Sequence, residues 1–230
     1  MVGFIDSLMS TQQSFTSHTD GFVLWDKLNR LEQENRIIPS PYVQIDDFLS
    51  SVEADELLNY AVLKEQIFEP AEGDAHPISR QAMLLFRRHF PDVAEFMIRR
   101  VHERVPAVLP QLNVAPFPIT RTEIQLSASQ DGGYIQKHTD NHAIANRRKL
   151  TYVYYFHRQP KPFSGGELLL YDSQIKDGYY EPAESFTTIE PRHNSLVFHH
   201  SRNVHEVLPV SCPSGQFRDS RFTIHGWLHR

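Results

Sequence analysis

At 230 residues, 40% hydrophobic and 22% charged, the chain has the composition of a folded protein with one core, or two small ones, and extended disorder is excluded. A net charge of −5 leaves no surplus of Lys and Arg for a phosphate-binding surface, so no nucleic-acid partner is expected. The single cysteine, Cys212, rules out an intramolecular disulfide framework.

The N-terminal stretch MVGFIDSLM has no basic leader and carries Asp6 among its apolar residues, and no run is apolar over the thickness of a bilayer. The expectation is a soluble cytoplasmic protein with no membrane partner. Residues 1–40 place Phe22, Leu24, Trp25, Leu28 and Leu31 on one helical face, which predicts a helical extension packed on a single domain spanning 41–230. Pro39 and Pro41 interrupt it, Tyr42 to Ile45 reads as a strand, and Ser50 with Glu53 forms a capping box that opens a helix over about 51–65. Val93, Phe96, Met97, Ile98, Val101 and Val105 make the stripe of a second helix, starting near Asp92 and ending at Pro106 and Pro110. Helices are therefore expected to fill 50–112.

After Pro118 the apolar residues recur every second position, at 122–128, 150–156, 167–171, 185–189, 195–199 and 221–228. Turn signals separate these runs: Asp131-Gly132-Gly133, Ser164-Gly165-Gly166 and Lys176-Asp177-Gly178. Many short strands with such punctuation predict a mostly β fold, a cupin-like jelly roll or double-stranded β-helix over about 118–230, with the helices buttressing one face.

Within this pattern His138 and Asp140 stand two residues apart in a strand-like run, YIQKHTDN, so their side chains are expected on one face. His205, in VHEVLPV, supplies a third group from another strand. Two histidines and one carboxylate on one side of a cation suit non-haem Fe(II) oxygen chemistry, although the ligand set alone also admits Zn or Mn, and hydrogen-bonded strand residues are the bland alternative. Arg221 opens the last strand with Thr223 and His225 on its face; an inward Arg needs an anion, and a dicarboxylate would supply one. The run Arg147, Arg148 and Lys149 reads as solvated charge or, through Arg147 or Arg148, as a contact to a substrate carboxylate. His142, His157, His193, His199, His200 and His229 read as surface or supporting groups, with His199 and His200 facing opposite ways.

Six segments in order, GGYIQKHTDN, LTYVYYF, SGGELLLY, IEPRHNSLVF, SRNVHEVLPV and RFTIHGWL, resemble the Fe(II)- and 2-oxoglutarate-dependent dioxygenases, in particular their prolyl 4-hydroxylase-like branch, with a weaker echo in YVQIDDFLSSVEADELL. The resemblance implies that His138, Asp140 and His205 bind Fe(II), that Arg221 grips the distal carboxylate of 2-oxoglutarate, and that Tyr155, Thr223 and Tyr134 support it. Many prolyl 4-hydroxylases have Lys where this chain has Arg221, and either residue serves an anion. Asp140 fills the position that is small in halogenating relatives, which favours hydroxylation over chlorination. The implied reaction consumes O2 and 2-oxoglutarate, releases succinate and CO2, and hydroxylates an unactivated C–H bond; ascorbate is an implied stimulant. The implied substrate is an amino-acid-like small molecule or a prolyl or peptidyl group, with His225 lining its pocket and the 141–149 loop as a lid. A cupin-like hydrolase or isomerase using Zn or Mn, and an inactive barrel used as a binding module, are the competing readings. Monomer and homodimer both remain open.

Overall fold

The computed structural model describes residues 36–71, 79–140, 147–176 and 179–230. The helical face expected over residues 22–31 and most of the 141–149 loop lie outside them. The chain divides into a small unit, residues 1–36 with 174–181, and a large one, residues 37–173 with 182–230. Among the described residues, no helix is long and apolar enough to cross a membrane.

The large unit opens with two short strands, β1 (Ile37–Ile38) and β2 (Tyr42–Ile45), so the last residues of the expected helical extension are extended instead. Helix α1 (Ser51–Leu63) begins where the capping box requires: the Ser50 hydroxyl accepts from the Glu53 N–H, and the Glu53 carboxylate accepts from the Ser50 N–H at 2.8 Å. Next comes a segment that the sequence pattern did not separate from its helical surroundings, β3 (Glu69–Pro70) followed by β4 (Ser79–Phe86). The short continuous run Ala82 to Phe86 has no period, so neighbouring strands decide its conformation. Helix α2 (Pro91–Gln111) starts at Pro91 and runs through both Pro106 and Pro110 rather than ending there. Burial of Val105, Val108 and Leu109 offsets the roughly 3 kcal/mol that an interior proline costs.

The remaining strands are β5 (Arg121–His138), β6 (Arg148–Phe156), β7 (Ser164–Gly165), β8 (Leu168–Lys176), β9 (Tyr179–Ile189), β10 (Ser195–His200), β11 (His205–Val207), β12 (Val210–Ser211) and β13 (Arg221–His229). They curl into an antiparallel half-barrel of order β1-β8-β11-β5-β13-β6-β10-β2, with β4 against β5, β9 against β8, and β12 paired only with β7. This is the mostly β jelly roll expected.

Strand β5 joins the two halves. Its first part pairs with β13, Arg121 to Ser129 opposite His229 to Arg221, and its end pairs with β11. Asp131-Gly132-Gly133 is therefore not a turn but a bulge inside one long strand: between the pairs Arg80↔Tyr134 and Ala82↔Ser129, β5 carries three more residues than β4. A second irregularity follows, because His205↔His138 and Val207↔Ile135 leave one extra residue in β5.

Period two then sorts the side chains. On β6, Tyr152 and Tyr154 enter the core under the helices with Ala94, Met97, Val101 and Val105 of α2 and Leu126, Phe198 and Ile224 of the sheet. The alternate residues Val153 and Tyr155 face inward, towards Leu168, Leu170, Val197 and Val207.

Candidate metal centre and adjoining cavity

His138 and His205 are direct cross-strand partners at the meeting of β5 and β11, with ring centroids 4.2 Å apart. Asp140 lies just past the end of β5, in a bend rather than in the strand. It joins the histidines because its backbone N–H donates to Ser201 O at 3.0 Å and its Oδ2 accepts from the Thr151 hydroxyl at 2.6 Å. The His138 Nε2 to Asp140 Oδ1 distance is 3.6 Å, the His205 Nε2 to Asp140 Oδ2 distance is 3.5 Å, and the three donor atoms all lie within 4.8 Å of one another. One cation can bind all three.

The tautomers suit that use. His138 Nδ1 sits 2.8 Å from Gln136 O and His205 Nδ1 2.9 Å from Asn203 O; a carbonyl only accepts, so each Nδ1 carries a proton and each Nε2 faces the cluster. Burial pushes His205 down to about 3, against the opposing pull of Asp140, so the ring is neutral at physiological pH. For Asp140, burial raises the carboxyl, but His205, His138, His199 and Thr151 together outweigh it and hold it well below the usual carboxylate range. Two imidazoles and an ionised carboxylate form a ligand set that fits a divalent transition metal.

The cluster opens on a cavity of about 360 Å³. Its wall repeats across β5, β13 and β6 in rows set by register: Glu123, Trp227 and Thr151; Gln125, His225 and Val153; Ser127, Thr223 and Tyr155; and Ser129 beside Arg221. Arg221 is 3% exposed, its guanidinium lies 4.9 Å from the Tyr155 ring centroid, and its Nε and the Tyr155 hydroxyl lack hydrogen-bond partners. Burial pulls the Arg221 pKa down against the opposing pull of Tyr155 and Glu167, and among the described residues no carboxylate lies within ion-pair distance of it. Thr223 next to it shares a 2.6 Å hydrogen bond with Ser127. A buried cation that faces a cavity, with no ion-pair partner among the described residues, fits an anionic ligand.

Seven of the residues singled out from sequence therefore converge here: His138, Asp140, His205, Arg221, Thr223, Tyr155 and His225. Arg148 also lines the cavity, but its guanidinium is already engaged, 2.8 Å from Glu123 and 3.7 Å from the Trp227 ring centroid. Arg147 is exposed and outside the lining. Tyr134 is also outside it: the irregularity at the end of β5 turns both Ile135 and His138 inward, which leaves Tyr134 on the other face. Glu123, Trp227, Ser127 and Thr151 went unread, although the alternation of Glu123, Gln125, Ser127 and Ser129 is visible in the sequence. His199 is wholly buried with its ring 4.8 Å from that of His205, while His200 points the other way and contacts Leu112 O.

Fold and site together define a jelly-roll protein built round a His-Asp-His cluster with a buried arginine in the same cavity. Residues 124–229 match the model of the 2OG-Fe(II) oxygenase superfamily. An uncharacterised PKHD-type hydroxylase of Synechocystis sp. is 37% identical over 201 residues, which cover 86% of this chain and 66% of that protein, so the chain spans just under two thirds of that relative's length. The fold is shared with a prolyl 4-hydroxylase of Pseudomonas putida (TM-score 0.61, 20% identity, 83% of this chain and 93% of that one). It is shared also with a Trichoplax adhaerens prolyl hydroxylase in complex with a peptide fragment of hypoxia inducible factor (TM-score 0.58, 20% identity, 93% and 94%). Over residues 124–229 the chain thus matches the 2OG-Fe(II) oxygenase superfamily, a family named for Fe(II) and 2-oxoglutarate, and its fold is one that prolyl hydroxylases share.

Proposed function

We propose that this chain is an Fe(II)- and 2-oxoglutarate-dependent hydroxylase acting on an unactivated C–H bond of a prolyl or peptidyl group or of an amino-acid-like small molecule. The observation that carries the reading is the shared cavity: a His-Asp-His cluster and a buried Arg221 line the same 360 Å³. A cupin-like hydrolase has no task for that arginine.

In this reading His138, Asp140 and His205 hold Fe(II), and Arg221, with Tyr155 and Thr223, holds the distal carboxylate of 2-oxoglutarate. Bound together, the metal and cosubstrate supply the oxidising chemistry, in which 2-oxoglutarate becomes succinate and CO2 and one atom of O2 enters the substrate C–H bond. The chain supplies binding, orientation and dryness. The Nε2 atoms of both histidines face the cluster, and Arg221 gains an anion within the cavity. Ile135, Val153, Leu168 and Val207 give the cavity apolar walls that exclude water.

Specificity belongs to the end of the cavity formed by Glu123, Trp227 and Arg148. Because Arg148 already pairs with Glu123, which also lies 2.7 Å from His229 Nε2, a substrate meets a compensated, flat Trp227–Arg148 stack rather than an open anion receptor. A cavity of this size that also takes a five-carbon dicarboxylate leaves space for one small ring or side chain. That favours a prolyl or other small residue presented by a peptide, as in the Trichoplax neighbour with its bound peptide.

The test is succinate release by the Fe(II)-loaded protein with a panel of proline-containing peptides and free amino acids. Substrate-dependent succinate with a matching 16 Da gain on a peptide supports the reading. Turnover confined to free amino acids moves it to small molecules, and no 2-oxoglutarate consumption with any member, alongside no binding of 2-oxoglutarate, refutes it.

A further inference from the structure

The carboxylate of the cluster is the one member that its own strand does not hold. His138 and His205 sit in β5 and β11, and each ring is tied to a carbonyl two residues earlier, whereas Asp140 lies in a bend beyond β5. Its orientation draws on buried contacts distant in sequence. Thr151 of β6, 4% exposed, donates to Oδ2 at 2.6 Å, and Thr151 Oγ1 lies 3.0 Å from the hydroxyl of Ser201, which is wholly buried.

Counting protons sets the direction of this chain. An ionised carboxylate only accepts, so Thr151 donates to Asp140, the shorter of its two contacts, while Ser201 Oγ, 3.0 Å away, is a second acceptor in reach of the same hydroxyl. Ser201 O meanwhile takes the Asp140 N–H at 3.0 Å and the Thr139 hydroxyl at 3.0 Å, which uses both its lone pairs. Ser201 stands four residues before His205, so one loop residue fixes the bend carrying Asp140 and leads into the strand carrying His205.

Resting on the oxygenase reading above, we propose that Thr151 is a positioning residue for Asp140: its hydroxyl fixes the carboxylate rotamer and directs it towards the two imidazoles. Groups that orient a metal ligand from behind typically change affinity by about 10- to 100-fold when removed. The arrangement also accounts for a threonine, rather than valine, at an inward position of β6 that alternates with Val153 and Tyr155.

The experiment is anaerobic titration of the metal-free full chain with Fe(II) alone, read by competition with a chelating dye, together with thermal melting of each metal-free protein. Thr151→Val, which keeps the shape and removes the hydroxyl, is expected to bind Fe(II) about tenfold or more weakly. Thr151→Ser, which restores the hydroxyl, is expected within about threefold of wild type. Thr151→Ala, verified as folded by circular dichroism, repeats the test should the valine variant not fold, and the same loss is expected. A purely structural role would lower the melting temperature of the metal-free protein and leave Fe(II) affinity unchanged; that result overturns the proposal. Wild-type protein that binds no Fe(II) overturns the oxygenase reading and this role together, whereas tight binding by wild type and by Thr151→Val alike overturns this role only.

Discussion

Gly166 lies directly against Arg221: a Cβ built at Gly166 would stand 2.6 Å from Arg221 Cδ, and the Gly166 backbone has a φ of +74°. The turn before β8 thus closes over the stem of the buried arginine and leaves it one path into the cavity. Gly166→Ala is expected to destabilise the protein by roughly 1–2 kcal/mol through its left-handed backbone and also to weaken 2-oxoglutarate binding by displacing Arg221. Gly215→Ala is the control, since its φ is +60° but nothing lies within 4 Å of the added Cβ. It should show the urea-melt loss and keep wild-type 2-oxoglutarate affinity.

Replacing Arg221 with Met separates its two consequences. The charge is buried without a counterion, so an apolar residue of similar length is expected to leave the melting temperature of the cosubstrate-free protein unchanged or higher. Affinity for 2-oxoglutarate should fall by about 1.5–3 kcal/mol, roughly 10- to 100-fold, for loss of a charge-assisted contact. Differential scanning calorimetry and 2-oxoglutarate titration check the pair; a marked drop in melting temperature would mean that Arg221 is structural.

His157 gives a pH dependence away from the metal cluster. It is 2% exposed after β6, its Nδ1 donates to Arg158 O at 2.9 Å, and burial, against that hydrogen bond, pushes it down to about 4. The unfolded chain takes up the proton near pH 6.5 while the folded chain refuses it until about pH 4. Stability is therefore complete above pH 6.5, falls as the pH drops below that, and this contribution levels off below about 4. The contribution is on the order of 2–3 kcal/mol. Urea unfolding between pH 4.5 and 7 should show a shallower fall for His157→Gln than for wild type, and parallel curves would contradict the assignment.

Gly226 in β13 has the tightest surroundings. A Cβ there would stand 1.9 Å from Glu123 O and 2.7 Å from the Tyr152 hydroxyl, which crosses the strand to donate to that same carbonyl at 2.8 Å. Backbone cannot yield as a flexible side chain does. Gly226→Ala should therefore cost several kcal/mol by strand separation, of the order seen for severe overpacking, ~3 kcal/mol or more, and a soluble variant with wild-type urea midpoint would refute the close contact.

Much of the site is legible because β6, β13 and the first part of β5, Arg121 to Ser129, keep a period of two. Once Arg221 faces inward, Thr223 and His225 must follow, and register brings Tyr155 and Ser127 beside Thr223. The same rule applied to Glu123 and Trp227 would have found the far end of the cavity. What period two does not carry is its own interruptions. Asp131-Gly132-Gly133 has the composition of a turn and behaves as a bulge, the irregularity before His138 turns Tyr134 away, and Asp140 reaches the cluster from a bend through Thr151 and Ser201 rather than from a continuing strand. β4 escaped notice because Ala82 to Phe86 is continuously apolar, and its pairing with the long β5 makes it a strand.

The central claim is that the His138, Asp140 and His205 cluster and Arg221 serve one metal and one cosubstrate in a shared cavity. The most direct test is anaerobic addition of Fe(II) and then 2-oxoglutarate to metal-free protein, following the weak visible charge-transfer band of a chelated keto acid. The account predicts a band for wild type, none for His138→Ala, and one that needs at least tenfold more 2-oxoglutarate in Arg221→Met. Iron binding by wild type with no band at any 2-oxoglutarate concentration, or an equal band in Arg221→Met, would contradict it.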